Sequence, residues 1–111
     1  MPTVNVYQST KEFEAKLKLV TDSLKQLVAK ELSGESIKLG TDEISVRIID
    51  VNGDGMLAKV ETEINAAAFK ERVERQDEIC LKIQAFLKDA LGTDVKVWLI
   101  LSELGHSWEN T

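Results

Sequence analysis

The chain has 111 residues, 43% hydrophobic and 30% charged with a single proline, the size and composition of one globular domain that can bury a core without disulfides or metals. Its 14 lysines and arginines against 19 aspartates and glutamates give a net charge of -5, which lacks the basic patch that phosphate backbones require, so nucleic acid is not an expected partner. No apolar run approaches the ~20 residues of a membrane span, "MPTVNVYQST" has neither the basic nor the apolar region of a signal peptide, and the lone Cys80 suits a reducing compartment, so no membrane partner and a cytoplasmic location are expected.

Residues 1–111 read as a single domain. Val4 and Val6 alternate within Thr3 to Tyr7, predicting a short strand. "STKE" follows, and Ser9 with Glu12 predicts a capping box at a helix start. Phe13, Leu17, Val20, Leu24, Leu27 and Val28 recur at steps of three and four as the inward stripe of that helix, with Gly34 just past its end. "ISVRIIDV", Ile44 to Val51, is β-branched and predicts a strand with Ile44, Val46 and Ile48 on one face and Arg47 and Ile49 on the other. After "NGDG", Ala58, Val60, Thr62 and Ile64 alternate with Lys59, Glu61 and Glu63, predicting a strand with one wet face. A second helix is predicted from about Glu71 to Leu91, its inward side carrying Ile79, Cys80, Ile83, Phe86, Leu87 and Ala90 and Gly92 stopping it. "VKVWLIL", Val95 to Leu101, is apolar on both faces from Val97 onward, as expected of a central strand.

The order is β-α-β twice. "GTDEISVRII" after the first helix echoes "GTDVKVWLI" after the second, and with one residue omitted Arg47 aligns with Trp98. The expected fold is therefore α/β (α+β): pseudo-repeats 1–56 and 57–111, a four-stranded mixed sheet, and two crossover helices on one face. The other face would carry Arg47, Ile49, Trp98 and Ile100, too apolar for water, and self-association would cover it.

One motif points elsewhere. "DVNGDGMLAKVE", residues 50 to 61, matches the twelve-residue calcium loop of an EF-hand, with Asp50, Asn52 and Asp54 at places one, three and five, Gly55 at six and Glu61 at twelve. An EF-hand needs a helix on each side of its loop. Here the flanks are predicted strands, no second such loop exists, and Asn-Gly-Asp-Gly is equally a signal for a tight hairpin turn.

Taken together, proline after the initiator Met, the doubled β-α-β order, "SVRII" in the second strand, "NAAAFKERVERQDEICLKI" at the second helix and the tail "GHSWEN" resemble the tautomerase superfamily. Its members include 4-oxalocrotonate tautomerase, 5-carboxymethyl-2-hydroxymuconate isomerase and macrophage migration inhibitory factor. The resemblance implies a homotrimer with pockets at subunit contacts and a cofactor-independent isomerase acting on a small 2-oxo or enol carboxylate. Pro2, freed by removal of Met1, would be the general base, its amine tuned by a dry site or neighbouring cations. Arg47, matching the strand arginine, would bind a substrate carboxylate or steady an enolate. Trp98 would form an apolar wall from a neighbouring subunit, and Met56 corresponds to a pocket phenylalanine of 4-oxalocrotonate tautomerase. Lys11 lies one residue out of register with that enzyme's helix-entry arginine and is a candidate for a second carboxylate contact. No metal or organic cofactor is implied.

The chain departs from the isomerases where they carry another arginine near the second helix: Phe69 and Lys70 stand there, with Arg72 two residues on. Other readings of the same residues stay open. Pro2 can simply start a strand, Arg47 can be an ion pair between subunits, and Trp98 can be packing. The fold can serve as a non-catalytic binding trimer, or as a hydratase or dehalogenase using Glu103 or Asp50 to activate water. Cys80 reads as a small core residue. His106 reads as solvated; with one His and one Cys no zinc site can be assembled, and Ser102 and Ser107 have no triad partners.

Overall fold

The structure, a computed structural model, describes residues 2–35, 37–52 and 55–102. Met1, Asp54, Glu103, His106, Ser107 and the "GHSWEN" tail lie outside the described residues. Strand β1 (Thr3–Gln8) leads through a short 3-10 turn into helix α1 (Glu14–Leu32), and strand β2 (Ser45–Asp50) follows. Strand β3 (Val60–Ala67), helix α2 (Lys70–Glu74), helix α3 (Gln76–Leu91) and strand β4 (Val95–Ser102) make the second half. The sheet order is β2-β1-β3-β4, with β1 parallel to β2, β3 parallel to β4, and an antiparallel seam between β1 and β3. Each long helix thus joins two parallel neighbours, as the doubled pattern predicts.

The register explains the burial alternation. Val4 and Val6 align with Val46 and Ile48 on one side and with Ile64 and Thr62 on the other, and this face meets Leu17, Leu24, Val28, Ile79, Ile83 and Leu87 of the helices in one core. Odd-numbered β1 residues point to the opposite, open face.

Several local expectations are corrected. Thr10, not Ser9, caps the first helical turn by accepting from the Glu12 N–H at 3.4 Å, while Ser9 donates to the Lys59 carbonyl instead. Gly34 does not act as a left-handed helix stop: among the described residues only Gly92 has positive φ, at 69°. Helix α1 ends at Ser33, whose hydroxyl donates to the Ala29 carbonyl at 2.6 Å and accepts from the Leu39 N–H at 3.0 Å. A Cβ at Gly34 would meet the Glu71 carboxylate, the end of a flexible side chain that would have to shift. The second helix is two, broken at Arg75 (φ -109°, ψ 13°). Strand β4 is an edge strand rather than a central one. Its inner face packs on the core through Val95, Val97 and Leu99, while its outer face presents Trp98 and Ile100 without cover from the described residues. Strands β2 and β3 form no hairpin with each other, because β1 lies between them.

Candidate functional site

Pro2 is buried and continues the even-numbered, core-facing side of β1; its carbonyl accepts from the Ser45 N–H at 3.2 Å. Arg47 lies on the other face of the sheet, exposed, aligned with Asn5. Lys11 stands past the far end of β1, roughly 20 Å from Pro2 at ~3.3 Å per strand residue. Its ammonium lies 3.8 Å from Asp50, whose other oxygen accepts from Gln8 Nε2 at 2.6 Å. A small depression of about 120 Å³ forms there between Gln8, Lys11 and Asn52. One copy of the chain therefore does not bring Pro2 together with Arg47 or Lys11.

Two candidates do meet. Trp98 and Met56 line a shallow depression of about 310 Å³ on the open face with Tyr7, Val51, Glu61 and Glu63. The register sets Arg47, Asn5, Glu63 and Trp98 in one row across the four strands, so the aligned positions of the two repeats occupy its two ends. At the row's centre Asn5 and Asn65 each donate a side-chain N–H to Glu63 Oε1, at 3.3 and 3.0 Å. The Lys96 ammonium sits 4.7 Å from the Trp98 ring centre, a cation–π contact. Glu61 is buried, and its Oε2 accepts from the backbone N–H groups of Leu57 and Ala58 at 2.7 and 3.1 Å.

That geometry also answers the calcium motif. Asp50 aligns with Gln8 on the helix side of the sheet and Glu61 with Tyr7 on the open side, so loop places one and twelve face opposite ways. Strands, not helices, flank the loop. Among the described residues no His, Cys, Asp and Glu cluster is arranged to hold a metal ion.

A feature missed in the sequence lies at the Pro2 end of the sheet. The alignment of Thr3 with Asn65 brings the end of β3 beside the start of β1. There Arg72, only 5% exposed, donates through Nε to the Leu32 carbonyl and through Nη1 to the Ala67 carbonyl, both at 3.0 Å, with its guanidinium 4.7 Å from the Phe69 ring centre. Burial pulls its pKa below the usual arginine value. Beside it a groove of about 350 Å³ runs between the end of α1 and helices α2 and α3, lined by Ser33, Gly34, Glu71 and Arg75 among others. Glu71 accepts from the Glu35 N–H at 3.0 Å, and Glu31, 3% exposed, takes Arg75 at 2.8 Å and Lys82 at 3.5 Å. Reading residues 71 to 91 as a single helix hid Arg72, because the break that turns it inward carries no proline or glycine. Half-buried Cys80 has its thiol pKa raised, first by burial.

No family model matches the chain, and no curated protein matches it in sequence. Solved structures do match its fold. A Vibrio cholerae protein of unknown function superposes with a TM-score of 0.71 at 13% identity, covering 98% of this chain and 84% of its own. The macrophage migration inhibitory factor-like protein of Entamoeba histolytica gives 0.67 at 11% identity, covering 96% and 95%, and the fused 4-OT asymmetric trimer gives 0.61 at 12%, covering 90% and 85%. The chain has the tautomerase superfamily fold, a four-stranded mixed sheet carrying two long helices. Within that fold class its likeness runs to the migration inhibitory factor and 4-OT structures over most of the chain's length. No described helix is long and apolar enough to cross a membrane.

Proposed function

We propose that this protein is a cofactor-independent tautomerase or isomerase of a small 2-oxo or enol carboxylate, working as a homotrimer with Pro2 as general base. The observation that carries the reading is the burial of Pro2 at the start of β1 in a tautomerase fold. An amine in a dry setting beside a buried cation is more readily kept neutral, and a neutral prolyl nitrogen can take a proton from carbon next to a carbonyl and return it elsewhere. The chemistry requires removal of Met1, since otherwise the Pro2 nitrogen is an amide. Arg47 is the carboxylate binder in this reading, with Trp98, Met56 and Lys11 brought to Pro2 by neighbouring copies. The separation of these residues within one chain supports a shared site, and the trimer of the 4-OT structure is the precedent for it.

The test is intact mass followed by a spectrophotometric screen of small 2-hydroxy-enoic acids. Loss of one methionine and turnover that falls about 100-fold or more in Pro2→Ala are expected. A retained Met1, or turnover untouched by Pro2→Ala, removes the proposed base. The second reading, a non-catalytic binding trimer, is favoured by the exposure of Arg47 on the face away from Pro2.

A further inference from the structure

We infer that a second copy of this chain covers the open sheet face and that Arg47 of one copy forms an ion pair with Glu63 of the next. This rests on the self-association in the reading above, not on its chemistry. Trp98 and Ile100 are 40% and 45% exposed on that face, with Ile49 half-buried on the opposite edge strand, and such apolar surface favours a protein cover over water. Glu63 sits at the middle of the patch. Its two hydrogen bonds both fall on Oε1, from the amides of Asn5 and Asn65, so Oε2 has no donor among the described residues.

Glu61 on the same strand makes the contrast. Its Oε2 takes two backbone N–H groups, so it can lose water without a new partner. Glu63 cannot, and a carboxylate buried without a cation is strongly destabilising. The face offers two cations. Lys96 is stacked on Trp98 in its own chain. Arg47 makes no ion pair or hydrogen bond with any described residue. It also cannot serve Glu63 of its own chain, because β1 separates them by two strand spacings, roughly 10 Å.

An edge-strand arginine and a central carboxylate on one face are complementary between copies and not within one. Each copy gives one Arg47 and receives one at its Glu63, a head-to-tail contact that a closed ring satisfies throughout. The planar guanidinium can meet Glu63 along one edge and leave another for a ligand carboxylate.

Sedimentation velocity on wild type, Arg47→Glu, Glu63→Arg and the double variant carrying both substitutions in one chain tests the pair. Wild type is expected to be oligomeric, each single variant to dissociate at concentrations about 10-fold or more higher, and the double variant to regain the assembly. Regain follows because every contact of the ring then sets a glutamate at 47 against an arginine at 63, whatever the number of copies. An oligomeric wild type with unaffected single variants, or a double variant that stays dissociated, overturns the pair while leaving self-association intact. A wild type that stays monomeric overturns both, and the face then belongs to another partner or to water; the Pro2 assay remains a separate question. Circular dichroism distinguishes dissociation from misfolding. Should a reversed variant misfold, Arg47→Gln and Glu63→Gln replace them, each expected to weaken assembly and the double to add little beyond either.

Discussion

The two faces of the sheet are built from the same four strands and solve opposite problems. The helix-covered face is almost wholly aliphatic, with Val4, Val6, Val60 and Ile64 at 0% exposure, yet it holds two polar misfits: the Thr62 hydroxyl and Gln8 Oε1 are buried without partners. The open face mixes Arg47, Glu61, Glu63 and Lys96 with Tyr7, Trp98 and Ile100, and holds a buried unpartnered atom of its own, Asn5 Oδ1. Apolar side chains set the fold on the first face. On the second, placed charges decide what may come next to it.

Truncation should separate the faces most sharply. Ile64→Ala opens a cavity against both helices and should cost roughly 2–5 kcal/mol in urea unfolding. Trp98→Ala should change folding stability far less while dispersing any oligomer, and an equal loss from both substitutions would erase the distinction. Next comes the buried carboxylate that links the helix layer. Glu31→Ala removes the buried one of the two carboxylates that Arg75 and Lys82 share, leaving them Glu78, and should cost about 2 kcal/mol, read by the same unfolding curves. In the other direction, Thr62→Val removes an unpaired buried hydroxyl at nearly constant shape and should stabilise by about 1 kcal/mol. A loss of that size would mean the hydroxyl has found a partner.

The smallest effect is a pH effect on the outer helix surface. Arg75, and then Lys82, hold the Glu78 carboxyl below its usual value. A lowered native pKa gives stability that is present above the unfolded value of about 4.3 and lost as pH falls through the native one. Glu78→Gln should therefore lower stability slightly above about pH 6, leave it nearly unchanged at acid pH where the carboxyl is protonated, and so make the acid limb of the stability curve shallower. A loss that persists undiminished at acid pH would assign the effect to other groups.

Periodicity made the elements legible and left their neighbours obscure. The step of two in Val60 to Ile64 and the steps of three and four from Phe13 to Val28 register the core side of each element, and all of those residues but Val20 are in or against the core. Strand order is not local information. Asn-Gly-Asp-Gly looks like a hairpin until β1 is known to lie between β2 and β3, and β4 looks central because its outer face is apolar although it lies at the sheet's edge. The candidate site was legible in part. Trp98 and Met56 meet, but Pro2, Arg47 and Lys11 sit apart, and a site distributed over copies leaves no trace of its distances in one sequence. Arg72 escaped because its inward turn depends on the Leu32 carbonyl, far from it along the chain, and on the Ala67 carbonyl at the end of β3.

The antiparallel seam between β1 and β3 has a consequence for how the chain could be cut. Residues 1–56 and 57–111 each hold a strand-helix-strand unit, but their shared border carries the β1–β3 ladder, the Arg72 contact to Leu32 and the Arg75 contact to Glu31. Nearly all of it is non-covalent and buried, while the peptide joining the halves runs outside it. Separately made halves should each fail to hold a cooperative fold and should recover one when mixed, as judged by the return of a single sharp thermal transition. The polypeptide link would then matter mainly as a local concentration, and the seam would be where the molecule is truly joined.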